Sequence, residues 1–139
     1  MSVQMVLLPV FVLIGLAFAL LLGMAVARTR SLRSGETRFK DIALREPNWS
    51  LRATQIANCF SNQFEVPVLF YVLIALALPL RHADLVIVVL SWVFVFTRFV
   101  HAGIFVTSNN VPRRGMAWFA GVVVLMAMWI YFALRILLV

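Results

Sequence analysis

The sequence predicts an all-α integral membrane protein, a bundle of four transmembrane helices, on three observations. Of its 139 residues, 64% are hydrophobic and only 12% charged, where a soluble domain runs about 45–50% and about 25%. Mean hydropathy is +1.03. Four separate apolar stretches are each long enough to cross the hydrocarbon core as a helix, which takes roughly 20 residues. A water-soluble globule is excluded by composition. High apolar content and a single cysteine exclude a disordered chain, collagen and a disulfide-stapled module. In lipid the backbone must satisfy its own polar groups, so the spans are helices or strands of a closed barrel. The runs are continuous rather than alternating, which selects helices in a single domain.

The first run, residues 5–27, carries no charge. Ala25-Val26-Ala27 resembles a signal-cleavage site, but residues 1–5 hold no basic residue and the run exceeds a usual signal core, so a retained helix is expected. The second run, about 53–80, contains Asn58, Asn62, Gln63 and Glu65. The third, about 85–107, contains Arg98 and His101, and the fourth, about 116–138, has Arg135 near its end. Trp49 and Trp118 fall where interfacial aromatics belong.

Charge orients the bundle. The loop over 28–52 and the turn before the fourth helix hold nine basic residues: Arg28, Arg30, Arg33, Arg38, Lys40, Arg45, Arg52, Arg113 and Arg114. Three acids accompany them, Glu36, Asp41 and Glu46. The opposite side carries Arg81 and Asp84 in a short turn, and Arg135. The positive-inside rule places loops one and three in the cytoplasm and both termini outside, as in a multi-pass protein of a bacterial inner membrane. Attraction to the anionic headgroups of the bilayer accounts for the basic loop. No aromatic-interleaved basic stripe points to nucleic acid.

Ionisable residues inside a span are expensive and mark function or specific pairing. Asn58, Asn62 and Glu65 recur at i, i+4, i+7 on one helical face, and Arg98, His101 and Phe105 at i, i+3, i+7 on another. The second and third helices are antiparallel neighbours across a short turn. Counted from that turn at 1.5 Å per residue, Glu65 lies about 22 Å away and Arg98 about 20 Å. The two faces are therefore expected level, with a Glu65–Arg98 ion pair, Asn62 beside His101 and Asn58 beside Phe105. Pro67 removes a backbone donor and frees a carbonyl near Gln63, which predicts a kink there.

These residues resemble the MAPEG family, the membrane-associated proteins in eicosanoid and glutathione metabolism. Asn62-x-x-Glu65 followed by Pro67 and an apolar run is similar to the family's second helix. Arg98-x-x-His101-x-x-x-Phe105 is similar to its Arg-x-x-His-x-x-x-Tyr segment, and Val111-Pro112-Arg113-Arg114 to its basic turn. The resemblance implies a MAPEG-like homotrimer binding glutathione as cosubstrate between subunits, near the cytoplasmic side, for transferase or peroxidase chemistry on lipophilic small molecules. It implies that Asn62 and Glu65 hold the polar backbone of glutathione, with Arg98 and His101 lining the same pocket. Arg30 and Arg113 become the candidates for anionic contacts and thiolate stabilisation, since a neighbouring cation lowers a thiol's pKa. Two positions depart from the family. Asn58 stands where an arginine is common, with Arg52 the residue expected to substitute in part, and Phe105 stands where a tyrosine is common.

Two other classes compete. A non-catalytic lipid-binding or assembly subunit would keep the pocket and lose the catalytic groups, as Phe105 and Asn58 do. A small proton-coupled transporter would use a membrane glutamate, but one free of an arginine partner. Cys59 reads as a packing residue. His82 and His101, without clustered cysteines, give no metal site by spacing.

Overall fold

A computed structural model describes residues 1–138. All regular structure among them is helical: α1 (Val3–Arg33), a 3-10 turn (Phe39–Asp41), α2 (Leu51–Asn62), α3 (Pro67–Ala77), α4 (Leu85–Val106) and α5 (Val111–Leu137). Four segments are long and apolar enough to cross a membrane: α1, the α2–α3 stretch, α4 and α5. Each of these spans starts on a side-chain cap, which satisfies backbone donors that a helix leaves free at its start. Ser2 accepts from the Met5 N–H (3.3 Å), Ser50 from Ala53 (3.2 Å), Asp84 from Ile87 (3.1 Å) and Asn110 from Arg113 (3.1 Å).

The helices outrun the apolar stretches. α1 continues past Ala27 through Arg28, Arg30 and Arg33, a rod of roughly 46 Å against a hydrocarbon core of roughly 30 Å. The segment after it is folded. Thr37 is buried; its hydroxyl bonds Ser31 (2.7 Å) and donates to the Asn48 carbonyl (2.8 Å), while the Asn48 amide donates to the Asp41 carbonyl (2.7 Å). Arg28 stacks over Trp49 at 4.8 Å and ties the end of the loop to α1.

The second span is broken where Pro67 predicts it. α2 stops at Asn62 and α3 restarts at Pro67, the first-turn position a proline tolerates. Tighter i→i+3 bonds cross the gap, from Gln63 N–H to Phe60, Phe64 to Ser61 and Glu65 to Asn62. Gln63 lies buried there, and its amide donates to the Cys59 carbonyl (3.2 Å).

The apolar core sits away from the basic loops. Val6, Val10 and Leu13 of α1 meet Phe70, Leu73 and Ile74 of α3, Ile87 and Phe94 of α4, and Leu125, Met128 and Phe132 of α5. A smaller cluster of Leu20, Cys59, Ala102 and Phe105 fills the basic half. Gly121 lets α5 approach α4: a Cβ there would stand 2.8 Å from the Thr97 hydroxyl, which itself donates to Phe94 (2.6 Å). Gly121→Val is expected to cost about 1–3 kcal/mol in detergent unfolding, as overpacked sites do. Thr97→Ala in the same chain should recover part of that loss.

Candidate functional site

The break places three side chains of the sequence-predicted site in a chain of hydrogen bonds. Arg98, only 2% exposed, donates from Nη2 to Asn62 Oδ1 at 2.5 Å. Asn62 then donates from Nδ2 to Glu65 Oε2 at 3.1 Å. The amide is oriented by its neighbours, with its oxygen on the guanidinium and its NH2 on the carboxylate.

The expected direct Glu65–Arg98 ion pair does not form; Asn62 stands between the two charges. Arg98 thus meets Asn62, one rung from its expected partner, and the reason is the break. Residues 63–66 are not regular α-helix, so counting 1.5 Å per residue back from the outer turn misplaces everything before them. Glu65 lies inside the break and its side chain is exposed on the outside of the chain.

His101, 3% exposed, packs edge-on against Phe105 with centroids 5.6 Å apart. The Arg114 guanidinium lies over the Phe105 ring, 4.1 Å from its centroid, and also donates to Asn109. Arg98 and Arg114 are both within electrostatic reach of His101 and Cys59. Three buried polar atoms in this region have no protein hydrogen-bond partner: Arg98 Nε, His101 Nδ1 and Gln63 Oε1. Such atoms are uncommon in folded proteins and raise the question of what they bind.

The other candidates are placed elsewhere. Arg52 donates to the Val106 carbonyl, and the neighbouring Gln55 amide donates to Phe105 (2.6 Å) and Thr107 (3.3 Å). Together they cap the end of α4, where carbonyls lack helical partners. Arg30 and Arg52 line a cleft of about 810 Å³ between α1 and α2 that is apolar toward Leu22, Val26 and Ile56. Arg113 is exposed at the start of α5. Asn58 is exposed, in line with Thr54 and Ser61 at i, i+4 and i+7 on α2, with the exposed Glu65 in the break beyond them. That line is a polar stripe on the outer surface of a membrane-spanning segment.

Sequence reasoning chose Arg113 over Arg114, and the structure sets Arg114 against the ring. The available signal was Phe105 itself, an aromatic at the end of α4 that a cation from the next helix can cover. Sequence reasoning also missed a polar cluster at the opposite end. Tyr131 donates to the Asp84 carboxylate, and Arg135 lies 3.9 Å from it. Partial burial alone would raise the Asp84 carboxyl, but the hydrogen bonds from Tyr131 and Ile87 and the Arg135 charge outweigh it and hold the group below its ordinary 3.8. A depressed carboxylate stabilises the fold fully above its ordinary value and loses that contribution as pH falls through the lowered one. Tyr131→Phe is therefore expected to lower the melting temperature at about pH 7, by a margin that shrinks as pH falls through the lowered value.

A model of the MAPEG family matches residues 6–134. No curated protein and no solved structure matches the chain.

Proposed function

The chain belongs to the MAPEG family, and on that premise we propose a glutathione-dependent transferase or peroxidase acting on lipophilic substrates as a homotrimer, with its site open to the cytoplasm. One observation carries the reading: the Arg98–Asn62–Glu65 relay ends in a carboxylate held on the outer surface of a membrane-spanning segment. Lipid cannot satisfy a carboxylate, and an uncovered one at bilayer depth costs at least about 2.5–3.5 kcal/mol. The exposed stripe of Thr54, Asn58, Ser61 and Glu65 has the same difficulty, which a second copy and a polar ligand between copies would remove.

The donor set fits glutathione. Glu65 offers an acceptor to its ammonium group, Asn62 and Asn58 offer amides to its peptide groups, and the arginines offer partners to its carboxylates. Arg30 and Arg113 are not bonded to the relay within one chain, so the proposal brings them in from the neighbouring copy. Within the chain, the Arg114 guanidinium lies over the ring of Phe105, the residue that stands in place of the family's tyrosine. A cation there would favour the thiolate, which supplies the nucleophile. An apolar pocket of about 200 Å³, lined by Ile14, Phe18, Phe64 and Tyr71, flanks the break and suits a lipophilic group.

A second reading, a non-catalytic lipid-binding or assembly subunit, is favoured by Phe105, which has no hydroxyl to donate. Thermal unfolding with glutathione separates the two. At 100 times its dissociation constant a ligand of the folded state adds about 2.7 kcal/mol. The enzyme reading expects that shift together with conjugation of an apolar aryl halide. No shift at millimolar glutathione would leave the assembly reading.

A further inference from the structure

The loop between α1 and α2 presents two large apolar side chains to solvent on a rigid support. Phe39 is 78% exposed and Leu44 is 85% exposed. Neither belongs to a floppy tail. The Asp41 carboxylate accepts from the Arg38 N–H (3.3 Å) and from Arg38 Nε (3.4 Å), and the Glu46 carboxylate accepts from the Leu44 N–H (3.1 Å). Asn48 holds the far side of the tip through the Asp41 carbonyl. Both acids of the tip are thus engaged within it. Lys40 and Arg45, exposed and each directly following one of the two apolar residues, form no ion pair among the described residues.

The path of the chain sets the depth of the tip. The Thr37 N–H donates to the Ser31 carbonyl (3.2 Å), so by Thr37 the loop has returned to the level of Ser31. Ser31 stands about 6 Å beyond Ala27, where the apolar part of α1 ends. Phe39 is two residues further on, within roughly 7 Å of Thr37. That range, from the apolar edge of α1 to about 13 Å outside it, includes the headgroup layer. The surrounding face carries nine basic residues against three acids, so a second copy of the same face would repel it, whereas an anionic leaflet complements it.

We propose that the tip from Arg38 to Arg45 is an anchor for an anionic lipid surface. Phe39 and Leu44 enter the headgroup–acyl boundary while Lys40 and Arg45 bond lipid phosphates. Because Ser34, Glu36 and Ser50 of this same loop line the α1–α2 cleft, docking the tip holds that part of the cleft near the bilayer surface. The inference does not depend on glutathione binding.

The test uses the full chain with Phe39→Cys, in a Cys59→Ala background, labelled with an environment-sensitive nitrobenzoxadiazole probe. The chain is reconstituted into phosphatidylcholine vesicles with or without phosphatidylglycerol. In the anionic vesicles the emission is expected to shift to the blue and to be quenched by doxyl-labelled phosphatidylcholine. Lys40→Ala and Arg45→Ala are each expected to weaken this insertion roughly fivefold, as loss of one interfacial charge does. High salt should weaken it too. Water-like emission in both vesicle types overturns the proposal. So does a blue shift that is independent of lipid charge and resists the doxyl quencher, since the tip would then be covered by protein. An unchanged melting curve for the labelled chain excludes misfolding as the cause of either result.

Discussion

Arg98→Met is expected to leave the protein folded and to abolish the proposed stabilisation by glutathione. The guanidinium is buried, and its burial carries a desolvation penalty of several kcal/mol. Set against that penalty are one short hydrogen bond to Asn62 and the Glu65 charge one link further on. Replacing a buried ion by an apolar side chain of similar length is often neutral or stabilising, by about 1–4 kcal/mol. Methionine fills the space and releases the Asn62 amide, so the carboxylate loses its fixed orientation. Arg98→Ala leaves a void instead and is expected to cost roughly 2–5 kcal/mol, as other large-to-alanine changes in packed interiors do. Unfolding curves of both variants, with and without glutathione, check the pair. An unfolded methionine variant, or one that keeps the full glutathione shift, would remove Arg98 from its role as the residue that positions Asn62.

Glu65→Gln is expected to act in the same direction, sparing the unliganded fold and weakening glutathione. The side chain is exposed within one chain, and substitutions at such positions usually stay within about 0.5 kcal/mol. Glutamine still offers an oxygen to Asn62 Nδ2, so the shape of the relay survives while its charge is lost. Truncating one partner of a desolvated, hydrogen-bonded charge pair costs about 2–5 kcal/mol, or roughly 30-fold to several-thousand-fold in affinity. Equilibrium binding of glutathione to the purified variant measures it. Unchanged affinity would mean that the carboxylate faces something other than the ligand's ammonium group.

Much of this architecture is legible in the residues. The membrane sets helix length, so four apolar runs read directly as four spans. Ionisable residues are rare in such runs, so Asn62, Glu65, Arg98 and His101 stand out against their surroundings. Pro67 announces the break because its ring excludes a regular helix one turn earlier. The pairing across the break is not legible, since residues 63–66 do not rise like a helix and move Arg98 from Glu65 to Asn62. The ordered loop was hidden for a different reason. Its knot is made of Ser31, Thr37 and Asn48, small polar residues whose partners depend on where the chain turns. The Asp84–Tyr131–Arg135 cluster joins the start of α4 to the end of α5, a contact no local pattern encodes. Arg114 and Arg113 are neighbours in sequence, and only the rotation of α5 decides which of them covers Phe105.

Glutathione affinity across the four combinations of Arg98→Met and Glu65→Gln tests the central relation most directly. If Arg98 acts on the ligand only by way of Asn62 and Glu65, each single change weakens binding strongly and the double variant is little worse than Glu65→Gln alone, a coupling of about 1–3 kcal/mol. Losses that simply add, or a parent protein that binds no glutathione at millimolar concentration, would contradict the relay as the core of the site.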